Sequence, residues 1–402
     1  MAIAIAAAGV AWASTTGARP AGRSLGDTGP TTTLTANCSA ARPASFAARA
    51  VAGLFETDLT THRRFEAVRA LSVTDPDPVV FAGGDLYLTY QEPDDYLCTR
   101  VARVRPGGGP VLQSPWLPLS GPPAVAYGSV WATAYERPNV DDTQVLYQLR
   151  PDTLAIERKI PLGTGYNAVT PVASAGAIWL AVSRGTTLGR IDARTGRLSR
   201  VSVPGLKKDL SISGLVAGPG DDTLYISAVD QSAARWTQAT ERFHPATGRF
   251  QVVAGNFDFP IVRLIGVTGD LLWVSLMGGN VGHDAPMSAV TMTPIYCAIE
   301  GPCTFDGLNG TFAVTTGADL AWMSHAGGWL ECAGAPTGSV RATIRVPGFG
   351  PITDGYSGND SATSPLAAGD GYVAVDPQFA NPHEDALGPG IAIFPVDPRC
   401  EQ

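Results

Sequence analysis

Apolar residues fall in short runs punctuated by glycine, proline and aspartate. The run Gly176-Ala177-Ile178-Trp179-Leu180-Ala181-Val182 reads as a turn leading into a buried strand with one large aromatic. Leu188-Gly189-Arg190-Ile191-Asp192 follows as the next strand. Ala193-Arg194-Thr195-Gly196 then supplies a tight reversal into a strand over Leu198–Val203. The same order recurs along the chain: an apolar strand, a Gly- or Asp-rich turn, and a strand carrying one aromatic. These aromatics are Tyr87, Trp131, Trp179, Tyr225, Trp273, Trp322 and Tyr372, spaced by 44, 48, 46, 48, 49 and 50 residues.

A period in the forties with about four short strands per copy is that of a β-propeller blade. The pattern predicts an all-β chain forming a closed seven-bladed propeller over residues 55–402, with each aromatic packed as core between neighbouring blades. First strands are expected near Val79–Ala82, Ala124–Tyr127, Val172–Ala175, Leu215–Gly218, Leu264–Val267, Phe312–Thr315 and Pro365–Ala368. Outer hairpins turn at Pro106–Gly109, Pro151–Thr153, Ala193–Gly196 and Pro245–Gly248. In the fifth copy the segment Cys297–Cys303 replaces a clean outer hairpin. The text Thr57–Phe65 lines up with the hairpin turn Ile191–Leu198, while residues 391–397 read as an outer strand with no successor. The chain thus opens with the end of one blade and stops before finishing another. An N-terminal strand completing the last blade closes the ring and removes the exposed sheet edges.

The repeats resemble those of YVTN-type and streptogramin-lyase-type seven-bladed propellers. The matching text is Gly128-Ser129-Val130-Trp131, Gly176-Ala177-Ile178-Trp179 and Leu271-Leu272-Trp273-Val274, with the turns Gly189–Gly196 and Glu241–Gly248. The resemblance covers roughly residues 55–400 and concerns architecture more than activity. It implies a binding or scaffold protein, or a metal-dependent lyase using histidines. Pyrroloquinoline-quinone propellers share the Asp-x-x-Thr-Gly-Arg turn. Here Leu198 and Phe250 stand where their Trp would follow, and no adjacent Cys pair exists, which weighs against that cofactor.

Charge narrows the partners. A net charge of −8 lacks the basic surface that nucleic acid requires. No run of Lys or Arg addresses an anionic membrane, and no stretch reaches the ~20 apolar residues of a bilayer span. Arginine outnumbers lysine 25 to 3, a usage typical of GC-rich genomes such as those of actinobacteria. Residues 1–13 form a small apolar run ending in Ala11-Trp12-Ala13, read as the remnant of an export signal. Residues 14–54, rich in Ala, Thr, Gly, Pro and Ser, read as a flexible leader. Six cysteines suit a secreted, disulfide-bonded monomer. Cys297 with Cys303 would staple a loop, and Cys38 with Cys400 would lock the ring. Cys98 and Cys332 remain without an assigned pairing.

Candidate chemistry gathers where loops converge at the channel mouth. His283, His325 and His383 follow the aromatic strands of the last three copies, with Glu384 beside the third. Three imidazoles and a carboxylate could hold a divalent metal or act as general acid and base. Their offsets from the aromatics are 10, 3 and 11 residues, which breaks repeat equivalence. Glu136, Arg137, Arg184 and Asp230 are candidate ligand contacts on other loops. Three functions follow: a non-catalytic module binding a protein, glycan or small ligand; a metal-assisted lyase or hydrolase; or a structural component of a cell-envelope complex.

Overall fold

The computed structural model describes strands and turns between Phe55 and Cys400, all within one unit, Thr35–Gln402. Residues 1–54, 401–402 and several connections, among them 137–142, 183–185, 230–237, 346–365 and 376–389, lie outside the described residues. The architecture is an all-β propeller. Each repeated aromatic lies in the second strand of a sheet of its own, and the sheet is named by that residue below. The first strands run Val80–Ala82, Ala124–Ala126, Val172–Ser174, Ser211–Ala217, Ile261–Thr268, Thr311–Thr316 and Leu366–Gly369, within a few residues of the expected bounds.

Local chemistry explains the repeat. First and second strands are joined by two-residue turns at Gly83-Gly84, Tyr127-Gly128, Ala175-Gly176 and Asp370-Gly371. Both residues of each turn have positive φ, the geometry of a type I′ hairpin, whose twist matches that of the strands. The aromatic then folds back over the turn. Trp131 and Trp179 donate their indole N–H to the carbonyls of Ala126 and Ser174, at 3.1 and 2.9 Å. Trp273 donates to the Thr268 hydroxyl at 2.7 Å. Each bond reaches back five residues, so a buried indole keeps a partner for its one polar atom.

The core lies in the seams between sheets, not within any one of them. Tyr87 packs with Val130, Ala132 and Leu149 of the Trp131 sheet. Trp131 packs with Ile178, Leu180 and Ile191, and Trp179 with Leu224, Ile226 and Phe243. Trp322 packs with Val373, Val375 and Phe394. The last sheet repeats the relation with the first, since Ala374, Ile391 and Ile393 pack with Leu86, Leu88 and Val104. Fully burying one large side chain contributes roughly 1.5–3 kcal/mol, so each seam carries several such increments. Six of the seven aromatics are buried core, as expected, and Tyr372 is half-buried against the Tyr87 sheet.

Three expectations are corrected. Six sheets have four strands or more, whereas the Trp273 sheet has three among the described residues. Among the described residues, the next strands after Ser288 are a separate antiparallel pair, Tyr296–Cys297 with Gly301–Pro302. Second, Phe55–Asp58 and Arg64–Glu66 do form a hairpin, but it extends the Trp322 sheet through Thr57 opposite Arg345. The strand that completes the Tyr372 sheet is Arg69–Ser72, antiparallel to Gly390–Pro395. Third, Cys400 bonds to Cys332 and not to Cys38, which lies outside the described residues. Burial dictates that choice. Both cysteines sit in the apolar seam that joins the Trp322 and Tyr372 sheets. Cys98 is also disulfide-bonded, and no described cysteine is free. Cys297 lies opposite Gly301, and Cys303 lies outside the described residues.

Candidate functional site

The two ends of the strands differ in kind. At one end the turns between first and second strands are short and interlock. At the other, four of the connections between second and third strands are longer, Tyr135 to Gln144, Ala181 to Thr187, Val229 to Gln238 and Val375 to Gly390, while those at Glu92–Asp95, Gly278–Val281 and His325–Trp329 are short. Of the sequence-predicted residues, Glu136, His283 and His325 lie within the described residues, and all three are at this second end.

Glu136 is exposed directly after the strand Ser129–Tyr135. It accepts a hydrogen bond from Lys159 Nζ at 3.0 Å, an exposed pair of the kind that contributes at most about 1 kcal/mol. His283 is the third residue of the strand Val281–Ser288, opposite Leu276. His325 is the last residue of Leu320–His325, opposite Thr311 and Trp329. Their placement corrects the sequence reading, which put both in connecting loops. They occupy strands of two different sheets. His383, Glu384, Arg137, Arg184 and Asp230 lie outside the described residues. Among the described residues no three His, Cys, Asp or Glu side chains gather in a metal-holding group.

At the interlocking end, three successive turns share one polar knot. The Tyr127 hydroxyl donates to Asp221 Oδ1 at 2.7 Å and accepts from Gly176 N–H at 3.0 Å. Ala175 N–H donates to Asp221 through both its carbonyl and its side chain. Burial first, and then the bond to Asp221, push the Tyr127 phenol up to about 12. The first and last sheets are tied in the same manner, with Gly84 N–H donating to Asp370 Oδ2 at 2.8 Å.

The same end carries a small open cleft of about 90 Å³ lined by Asp85, Arg103, Arg105, Gly108, Pro110 and Leu112. Asp85 is buried and receives Arg103 through Nε at 2.7 Å and through Nη2. Arg103 Nη1 donates to the Pro151 carbonyl at 2.7 Å. Arg69, from the strand that completes the Tyr372 sheet, donates to the carbonyls of Arg105 and Gly109 at 2.6 and 2.8 Å. The sequence reading passed over this group. Its legible trace is Arg103-x-Arg105, since alternate residues of a strand share a face.

Glu241 was also missed as an isolated residue. It is fully buried in the third strand of the Tyr225 sheet, opposite Ile226 and on the same face as Phe243. Neither carboxylate oxygen has a hydrogen-bond partner, and burial raises its pKa to about 7.

No family model matches the chain, and no curated protein matches it in sequence. Among solved structures it is similar to the computationally designed Ika8 protein, with a TM-score of 0.46 and 11% identity over 86% of this chain and 100% of that one. It is similar to BamB from Moraxella catarrhalis at the same TM-score and identity, over 89% of this chain and 95% of that one.

Proposed function

We propose that the chain is an exported propeller of seven units, closed into a ring, that binds a protein, glycan or small ligand at its loop-bearing end without catalysing a reaction. The observation that carries this reading is the asymmetry of the two ends. One is tied shut turn to turn through Tyr127, Gly176 and Asp221. The other bears the long connections in which Arg137, Arg184, Asp230 and His383 fall. A rigid scaffold presenting variable loops at one rim is how propellers commonly build sites. The ring reading is supported by the packing of the Tyr372 sheet on the Tyr87 sheet and by the edge strand Arg69–Ser72. Export is supported by the buried Cys332–Cys400 bond, since such bonds persist in oxidising compartments.

The test is a glycan-array and small-molecule thermal-shift screen on the full chain. It is repeated on an Arg184→Ala, Asp230→Ala double variant and on a chain with residues 230–237 replaced by a Gly-Ser tract. Binding that disappears in both, with the circular-dichroism spectrum unchanged, is the expected result. Binding that survives both overturns the placement.

The metal-assisted lyase or hydrolase reading, in keeping with the resemblance to streptogramin-lyase repeats, draws on His283 and His325 in consecutive sheets of the series. Metal analysis of purified protein with and without His325→Ala tests it. The reading predicts a bound divalent ion that the variant loses.

A further inference from the structure

The cleft beside Asp85 is cationic in a chain of net charge −8. Two guanidinium groups, from Arg103 and Arg105, meet the one carboxylate of Asp85, and a third, from Arg69, is anchored on the Arg105–Gly109 turn beside it. Their bonds divide the work among them. Arg69 spends its Nη1 and Nη2 hydrogens on two backbone carbonyls of the Arg105–Gly109 turn. Arg103 spends its own on Asp85 and on the Pro151 carbonyl. The carbonyl contacts leave the charge of Arg69 in place, whereas that of Arg103 is offset by Asp85. Arg105 is different. Its side chain is 66% exposed, and its one ion-pair contact, Nε to Asp85 Oδ1, is long at 3.4 Å. Asp85 is already engaged by Arg103, so it leaves the outer edge of the Arg105 fork uncommitted. Asp370, the nearby acid of the adjoining turn, accepts from Gly84 N–H, and Asp152 pairs with Arg150. Pro110 and Leu112 give the cleft an apolar wall. Gly108 and Gly109 hold positive φ with nothing within 4 Å of a Cβ position, so the rim is set by backbone shape and stays open.

We propose that this cleft binds a small oxyanion, a carboxylate or phosphate group on a short apolar stem, with Arg105 as the bidentate contact. A planar guanidinium fork matches both anions, and the preset charge of Arg69 reduces the cost of organising the site. The cleft is lined by the Tyr87 sheet and its Arg105–Leu112 turn, to which Arg69 of the completed Tyr372 sheet is anchored. The inference is independent of ligand binding at the opposite, loop-bearing end.

The full chain is titrated with inorganic phosphate and, separately, with butyrate, at ionic strength held constant with chloride. Calorimetry and the thermal midpoint are the readouts. Saturable binding with a rise in midpoint is expected for at least one anion, and the two arms tell which headgroup the cleft takes. Arg105→Gln should weaken that binding at least tenfold, Arg105→Lys less, and Arg194→Gln, on an exposed turn of another sheet, not at all. Arg105→Gln leaves the Arg105 carbonyl in place for Arg69, so the turn keeps its anchor. No saturation by either anion in the unaltered chain overturns the proposal. So does binding by Arg105→Gln equal to that of the unaltered chain.

Discussion

The Tyr127 hydroxyl reaches Asp221 across 94 residues of sequence, passing over the turn of the sheet between them and accepting the Gly176 N–H on the way. The knot is built on conformations that sequence alone disfavours. Tyr127 and Ala175 both sit at φ 52 and Asp221 at φ 58, where a side chain costs roughly 1–2 kcal/mol. Mutual hydrogen bonding offsets that strain. Tyr127→Phe keeps the ring and the backbone angle and removes the hydroxyl. It should destabilise the fold by about 1–2 kcal/mol. In a double-mutant cycle with Asp221→Asn, urea unfolding should give a coupling above about 0.5 kcal/mol. The raised phenol pKa adds a pH effect. The folded state keeps the proton up to about 12, whereas an unfolded tyrosine releases it near 10, so stability should fall as pH rises from 10 to 12. Tyr127→Phe should lose that part of the slope.

The Trp273 indole and the Thr268 hydroxyl form a buried side-chain pair. Removing one partner strands the other. Trp273→Phe should therefore cost about 1–3 kcal/mol beyond its lost volume, seen as a lower denaturation midpoint. Adding Thr268→Val should recover part of that loss, because no unpaired hydroxyl remains. Additive costs in the pair would show that the bond contributes nothing of its own.

The periodic aromatics were legible because each holds the same place in the second strand of its sheet, and Trp131, Trp179 and Trp273 also bond back to the preceding turn. Identical physics leaves identical spacing. The hairpin Phe55–Glu66 was legible too, as hairpin text, but not the edge it joins. A local pattern specifies pairing within a hairpin and is silent about which open sheet edge accepts it. The Tyr127–Asp221 bond left no trace, because a tyrosine in a left-handed turn runs against local propensity and is held only by distant partners. Cys332 and Cys400 were separately visible, yet their pairing depends on which two sheets share a seam. Arg69 acts on backbone carbonyls alone, and a carbonyl has no letter in the sequence.

The Cys332–Cys400 bond closes a loop with a sequence separation of 68 and joins the Trp322 sheet to the chain end beyond the last strand. A covalent loop of that length limits the unfolded ensemble by roughly 4 kcal/mol on the chain-entropy account. Cys400→Ser should lower stability by about 2–4 kcal/mol. Hydrogen exchange should quicken first in Gly390–Pro395 and its partner Arg69–Ser72, because that sheet then loses its tether. A uniform increase across all sheets would place the loss in the unfolded state alone.

Glu241 gives the chain a pH dependence opposite to that of a salt-bridged acid. It faces Leu224, Phe243 and the Trp179 seam with no partner for either oxygen, so the charged form is penalised where it stands. Its folded pKa of about 7 lies above the ordinary carboxylate value near 4.3 of an unfolded chain. The folded state therefore binds the extra proton between those two pH values, and stability should decline as pH rises through that window, levelling off above 7. Each tenfold difference in proton affinity is worth about 1.4 kcal/mol, so the full decline is on the order of 3 kcal/mol. Glu241→Gln cannot ionise and should flatten this slope while leaving stability at pH 5 nearly unchanged. Glu241→Leu should exceed the unaltered chain at pH 8, since an apolar side chain suits the seam. Urea midpoints measured from pH 5 to 8.5 decide it: an undiminished slope in Glu241→Gln would assign the effect to other groups.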